Sequence, residues 1–185
     1  VEKQTCAEVM RDRIFKKADF PITVSVIVAE VDPRLAGTER HFNTARDIYR
    51  LPNIEPGSHS YSHPYYWSDT SENKTKYKGK LGIKIPGYKF QDKMELDSSV
   101  NYITTRLAPP GKPCRVFQWT GECRPEESQI ARLDAINVLN INGGDTVYDG
   151  IDNSLFSVAP LYRQVGRRIQ FHIGQANDNI LTNKL

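Results

Sequence analysis

The chain has 185 residues, of which 38% are apolar and 25% charged, and its formal charge is +3. That is one domain's worth of chain with enough apolar content for a buried core. The small, dispersed charge argues against a nucleic-acid groove, and no apolar run is long enough to cross a bilayer.

The first helix is predicted over Cys6 to Lys17, where Val9, Met10, Ile14 and Phe15 recur at three- and four-residue spacing. Asp19-Phe20-Pro21 ends it. Ile22 to Val31 is a β-branched run with almost no charge, which predicts one strand covered on both faces. A second helix follows from Thr38 to Arg50, with Phe42, Ala45 and Tyr49 on one side. Asn53 to Ser58 is a short strand leading into Ser58-His59-Ser60-Tyr61-Ser62-His63-Pro64.

Trp67 to Phe90 is rich in Ser, Lys, Gly, Tyr and Asn and reads as a long loop. Its basic stretch Lys74-Thr75-Lys76-Tyr77-Lys78-Gly79-Lys80 reads as solvated. Asp97 to Leu107 is helical, with Asp97 or Ser98 as its cap and Val100, Ile103 and Leu107 inward. Arg115 to Thr120 is a strand, Pro125 to Ile136 a helix and Val138 to Ile141 a strand. The last strand runs into Asn142-Gly143-Gly144-Asp145-Thr146. Two more strands are expected at Leu155 to Pro160 and Arg168 to Ile173, separated by the Val165-Gly166 turn. Strands alternating with helices, and polar motifs after strands, predict a mainly parallel α/β sheet or barrel with its site at the strands' carboxyl ends.

Cys6, Cys114 and Cys123 make neither a disulfide framework nor a zinc ribbon, and spacing leaves open whether the latter two pair. Chemistry concentrates instead on His59 and His63. Two imidazoles four residues apart on a helical turn face the same way and can grip one metal ion. Ser58, Ser60 and Ser62 offer hydroxyls to orient the rings, and Tyr61, Tyr65, Tyr66 and Trp67 crowd the same place. The glutamate of a His-Glu-x-x-His protease is missing. A catalytic zinc usually takes three protein ligands, so a third is required. Asp145, after the Gly-Gly turn, is the candidate within the chain, as a ligand or as support behind the ligands.

The stretch Ser58 to Pro64 resembles the His-[Ser/Thr]-x-x-His motif of the NodB-like polysaccharide deacetylases, carbohydrate esterase family 4. The resemblance continues through Leu107-Ala108-Pro109-Pro110-Gly111-Lys112, Trp119-Thr120-Gly121-Glu122-Cys123 and Asn140 to Thr146. It then takes in Val158-Ala159-Pro160-Leu161, Asn177-Asp178-Asn179 and Thr182-Asn183. It covers nearly the whole chain. It implies a deformed (β/α) barrel and a divalent metal, commonly zinc, with His59 and His63 as two of its ligands. It also implies hydrolysis of N-acetyl groups from an amino-sugar polymer rich in N-acetylgalactosamine, during periplasmic export of a bacterial biofilm exopolysaccharide. The implied partners are that polysaccharide and other export proteins.

The family's metal-binding and base aspartates belong to a first-strand motif that nothing here matches, so they are expected before Val1. Its general-acid histidine is expected beyond Leu185, because the surroundings of His172 do not match that motif. Asp178 stands where the family usually has Glu. The chain, which starts at Val1 without Met, thus reads as a central fragment of a single deacetylase-like domain spanning 1–185. Trp67 and Trp119 are the expected sugar contacts, and Asp145 the expected support behind the metal ligands. A polymer-holding module without catalysis and a metal-dependent acetyl esterase are the alternatives.

Overall fold

A computed structural model describes residues 3–71, 74–76, 79–141 and 161–172. Helix α1 (Cys6–Met10) starts at Thr5. The Thr5 hydroxyl accepts from the Glu8 amide while the Glu8 carboxylate accepts from the Thr5 amide, which satisfies two otherwise orphaned donors. The helix continues as a π-wound turn, Arg11–Phe15, that delivers Phe15 to the core.

The run predicted as one strand from Ile22 to Val31 divides in two. Strand β1 is Ile22–Val26, and Val28–Val31 is a short helix, α2. The amides of Val28 and Ala29 donate to the carbonyls of Ser60 and Tyr61 at 3.1 and 2.9 Å. The chain therefore leaves the sheet to close over the histidine loop, and tertiary bonding overrides β propensity. Burial explains the missing charge in either conformation, because Val28 and Ala29 are fully enclosed.

Helix α3 (Glu39–Tyr49) is capped by the Thr38 hydroxyl, near the predicted bounds. Its last residue ties it to the sheet: the Tyr49 hydroxyl lies 3.1 Å from the carbonyls of both Val24 and Gly57. Strand β2 is Ile54–Ser58. The helix predicted from Asp97 begins earlier, with a π-wound Met94–Ser98 followed by α4 (Ser99–Tyr102) and a π-wound Ile103–Leu107. Ser98 has helical backbone angles and caps nothing. Leu96, Val100, Ile103 and Leu107 form the buried stripe.

Strand β3 (Val116–Gln118), helix α5 (Glu127–Ala135) and strand β4 (Leu139–Ile141) follow. The sheet order is β1-β2-β3-β4 and every pairing is parallel. This is a mixed α/β fold with a four-stranded parallel sheet. Strands β5 (Leu161–Val165) and β6 (Arg168–His172) form an antiparallel hairpin, an arrangement the sequence reading did not anticipate. Gly166 turns it with a positive φ of 60° that suits glycine. The strand expected at Leu155 to Pro160 lies outside the described residues.

The two faces of the sheet differ in chemistry. Phe117, Trp119 and Ile54 join Trp67, Leu96 and Ile103 in one apolar cluster. The opposite face carries Thr23, Ser25, Glu55, Gly57 and Gln118, with Val116, Leu139 and Ile141 on the same face toward β4. There the Thr23 hydroxyl donates to Glu55 at 2.7 Å, and the Ser25 hydroxyl donates to the Gln118 side chain. Alternation of side chains along β2 continues this polar face into His59.

Candidate metal centre

His59 is the first residue after β2. Its amide donates to the Val26 carbonyl at 2.9 Å, at the end of β1. Its ring Nδ1 lies 2.9 Å from the Gln118 carbonyl, at the end of β3. The imidazole is thus fixed at the carboxyl ends of three adjacent strands, where open parallel sheets and barrels carry their sites. A carbonyl can only accept, so Nδ1 carries the hydrogen and Nε2 keeps its lone pair for a ligand. Burial, reinforced by the neighbouring His63, lowers the His59 pKa from 6.5 to about 4, against the raising effect of the Gln118 hydrogen bond. The ring is therefore neutral at neutral pH, as metal ligation requires.

The His59 and His63 ring centroids are 5.1 Å apart, with planes at 71°. Two imidazoles on one tetrahedral zinc, with Zn–N near 2.0–2.1 Å, place their ring centres about 5 Å apart. The pair fits the donor set and spacing of half a zinc site.

The path of the chain between the two rings differs from the predicted helical turn. Ser60 and His63 have positive φ of 69° and 58°, in the left-handed region that non-glycine residues seldom occupy. Holding them there costs about 1–3 kcal/mol each and needs over-determined surroundings. Those surroundings are visible. The Ser60 amide donates to the Ser58 hydroxyl at 3.2 Å, and the His63 amide donates to the Ser60 hydroxyl at 2.9 Å. Ser58 and Ser99 share a hydroxyl–hydroxyl bond of 2.8 Å. The serines expected to orient the imidazoles shape the backbone instead, because all three are fully buried beneath it.

Beneath the loop sits Glu95, also fully buried. One carboxylate oxygen accepts from the amides of Tyr61 at 3.0 Å and Ser62 at 2.9 Å. The other accepts from the Ser62 hydroxyl at 2.5 Å and the Tyr88 hydroxyl at 2.8 Å. Burial and the adjacent Glu95 charge push the Tyr88 phenol well above its ordinary pKa, so it stays a donor.

Two further segments brace the loop. The amides of Gly82 and Ile83 donate to the carbonyls of His63 and Ser62 at 2.8 and 2.9 Å, and the Tyr65 amide donates to Lys80. A Cβ on Gly82 would stand 2.6 Å from the His63 carbonyl oxygen and 3.0 Å from its Nδ1, so only glycine fits against that ring without a shift. On the other side, the Thr120 hydroxyl donates to the Pro64 carbonyl, the Glu122 amide to the Tyr65 carbonyl, and the Trp67 amide to the Glu122 carboxylate. The long segment after the histidines, read from sequence as a loop, is thus part of the site's scaffold.

Other expected site residues fall elsewhere. Trp67 and Trp119 are 1% and 0% exposed and meet edge to face at 4.7 Å. Their indole N–H groups donate to the Thr120 carbonyl and the Asn140 side chain. With neither ring face open, they are core residues and not sugar platforms. Tyr66 is buried as well, whereas Tyr65 is half-buried with its ring 6.0 Å from His63. Asp145 and Asp178 lie outside the described residues. His172 ends β6. Among the described residues no third His, Cys, Asp or Glu joins the pair. Cys114 and Cys123 are both buried and form no disulfide with each other. Burial pushes their thiols to about 12 and about 11.

Sequence reasoning passed over Glu95, Gln118 and Gly82. Gln118 acts through its backbone, which leaves no side-chain signal. Glu95 left a faint one: it stands four residues before Ser99, beside the apolar stripe of its helix. A cleft of about 530 Å³ opens at the opposite end of the strands, between Phe20, Pro21, Leu51, Pro52 and Asn53, and its lining holds no histidine or cysteine.

No protein-family model matches the sequence, and no curated protein matches it. Among solved structures, the chain is similar to the 4-α-glucanotransferase of Thermococcus litoralis at 11% identity and a TM-score of 0.49. The match covers 91% of this chain and 22% of that one, so the chain spans about a fifth of that enzyme's length. The fold and site together define an α/β protein with a parallel sheet and two neighbouring imidazoles, set edge to face, at its carboxyl edge. Among the described residues no helix is long and apolar enough to cross a membrane.

Proposed function

We propose that the chain carries the histidine half of the metal centre of a polysaccharide N-deacetylase, built on a (β/α) barrel of the NodB-like type. The substrate would be an amino-sugar exopolysaccharide of the Pel type, rich in N-acetylgalactosamine, processed in the bacterial periplasm alongside other export proteins. The observation that carries this reading is the ring-to-ring spacing of 5.1 Å between His59 and His63, with the His59 Nδ1 turned to the Gln118 carbonyl. The sequential order of four parallel strands supports it, since neighbours in a (β/α) barrel wall follow chain order.

His59 and His63 would hold a divalent cation, with zinc as the proposed ion because imidazole nitrogen is one of its usual ligands. The chemistry a bound ion would supply is a lowered water pKa, toward about 7, and polarisation of the amide carbonyl. The chain's own residues supply the rest of the arrangement. Gln118 fixes the His59 tautomer, and burial keeps that ring unprotonated. Gly82 leaves room for the His63 ring. Tyr65, half-buried with its ring 6.0 Å from His63, would be the aromatic that meets a sugar. In the reaction, water oxygen joins the acetyl carbon, the C–N bond breaks, the amine takes a proton and acetate leaves.

A second reading is favoured by one observation: among the described residues no further carboxylate, thiol or imidazole joins the pair. A module that holds N-acetylated polymer without cleaving it would need no base or acid. Acetate release from N-acetylated oligosaccharides, with zinc present, distinguishes these readings. We expect release that a chelator abolishes and that His59→Ala or His63→Ala reduces by at least about 100-fold, the scale of losing a metal ligand. Binding with no release supports the module. Release from acetyl esters alone supports an esterase, and release indifferent to chelator and to both substitutions removes the metal reading.

A further inference from the structure

We propose that Glu95 is the positioning residue of the two-histidine site, fixing the separation of the His59 and His63 rings from beneath the loop that joins them. The inference rests on the functional reading only for its metal-binding arm.

A carboxylate with no exposed surface is rare unless its oxygens are satisfied. Glu95 has no exposed surface and is satisfied by four donors: the amides of Tyr61 and Ser62 and the hydroxyls of Ser62 and Tyr88. Among the described residues no lysine or arginine forms an ion pair with it. Three of the four donors belong to Tyr61 and Ser62, which lie between the two histidines. Those bonds fix two consecutive peptide groups inside a loop whose flanking Ser60 and His63 are in the left-handed region. The loop cannot relax to a helical turn while its central amides point down at Glu95.

Glu95 reaches this position from a different element, in the π-wound turn that precedes α4. That turn is itself tied to the loop: the Ser99 hydroxyl, which meets Ser58, lies 2.7 Å from the Glu95 carbonyl. Glu95 contacts neither imidazole in this arrangement; it acts through the backbone between them.

The test compares Glu95→Ala and Glu95→Gln in the full chain. The first removes all four acceptors. The second keeps one carbonyl oxygen for the two amides and offers N–H groups to two hydroxyls that can rotate to accept. In metal-free protein, proton NMR of the wild type is expected to show a ring-to-ring cross-peak between His59 and His63. Glu95→Ala loses that cross-peak while retaining a cooperative melt, and Glu95→Gln restores it. By calorimetric titration with Zn²⁺, Glu95→Ala binds about 10–100-fold more weakly than wild type, the range seen when support behind metal ligands is removed. Glu95→Gln stays within about threefold of wild type on the same basis.

A merely structural brace would lower the melting temperature of Glu95→Ala and leave the cross-peak and the folded protein's zinc affinity as they are; that result overturns the proposal. If neither wild type nor variant binds zinc but the cross-peak behaves as described, the metal reading fails and the positioning role stands. Should Glu95→Ala not fold, Ser62→Ala removes one of the four bonds. A weakened cross-peak then supports the role and an unchanged one counts against it.

Discussion

Protonation of His59 gives a sharp test of the site's electrostatics. Its folded pKa is about 4 against an ordinary 6.5, with burial the largest cause. The unfolded chain therefore takes up a proton at higher pH than the folded one. The stability linked to this group is complete above pH 6.5, declines as pH falls, and is exhausted below about pH 4. At about 1.4 kcal/mol per pH unit, the full loss is about 3 kcal/mol. Paired carboxylates do not obscure the upper part of this window. Glu8, held to about 2 chiefly by its hydrogen bond to Arg40, contributes stability above its ordinary 4.5 and loses it only below that. The assay is urea unfolding in EDTA from pH 8 to 4.5, followed by the fluorescence of the buried Trp67 and Trp119. The comparison is with His59→Asn, whose amide N–H can still reach the Gln118 carbonyl but does not titrate. Wild type is expected to lose about 2–3 kcal/mol more than the variant across that range. Equal losses would mean that His59 is not buried against Gln118 as described.

Other consequences are local to the scaffold. Gly82→Ala should cost about 1–3 kcal/mol in urea unfolding, because its Cβ would stand 2.6 Å from the His63 carbonyl oxygen. The same substitution should weaken zinc binding, and unchanged affinity would mean that His63 is free to move away. Trp119→Ala should lower stability by about 3–5 kcal/mol, as for a core aromatic, whereas a loss of oligosaccharide binding with stability intact would place the ring at a surface. Tyr65→Ala should weaken binding of N-acetylated oligosaccharide by about tenfold with little effect on the melt, on the scale of one lost aromatic contact. Labelling by a thiol reagent in native buffer should modify Cys6 alone, since Cys114 and Cys123 are buried with raised pKa values.

What was legible in the sequence divides along the line between local and distant causes. Helix α3 was readable because Phe42, Ala45 and Tyr49 mark its apolar side. That the histidines follow a strand was readable from the short Asn53 to Ser58 segment, and their place at the strands' carboxyl ends followed. The way the rings come together was not. A spacing of four suggests a helical turn, but the turn is replaced by a left-handed loop whose shape depends on Glu95, 34 residues from Tyr61. The Ile22 to Val31 run looked like one strand because burial and β-branching read alike in strand and helix. Its break after Val26 depends on carbonyls of Ser60 and Tyr61 that no local pattern announces. The tryptophans were misplaced for a related reason: an aromatic near a polar motif has the same composition signal whether it faces a ligand or a core.

The pairing of His59 with His63 around a cation can be observed directly by nitrogen-15 NMR of the imidazoles during a Zn²⁺ titration. Of the four histidines, His41 is exposed on α3 and serves as an internal reference. Binding at the proposed site should move the Nε2 resonance of His59 to its metal-bound position, leave its Nδ1 protonated, and shift His63 in step, with His41 unmoved. Resonances of His59 and His63 that stay still, or that shift independently of each other, would contradict the site.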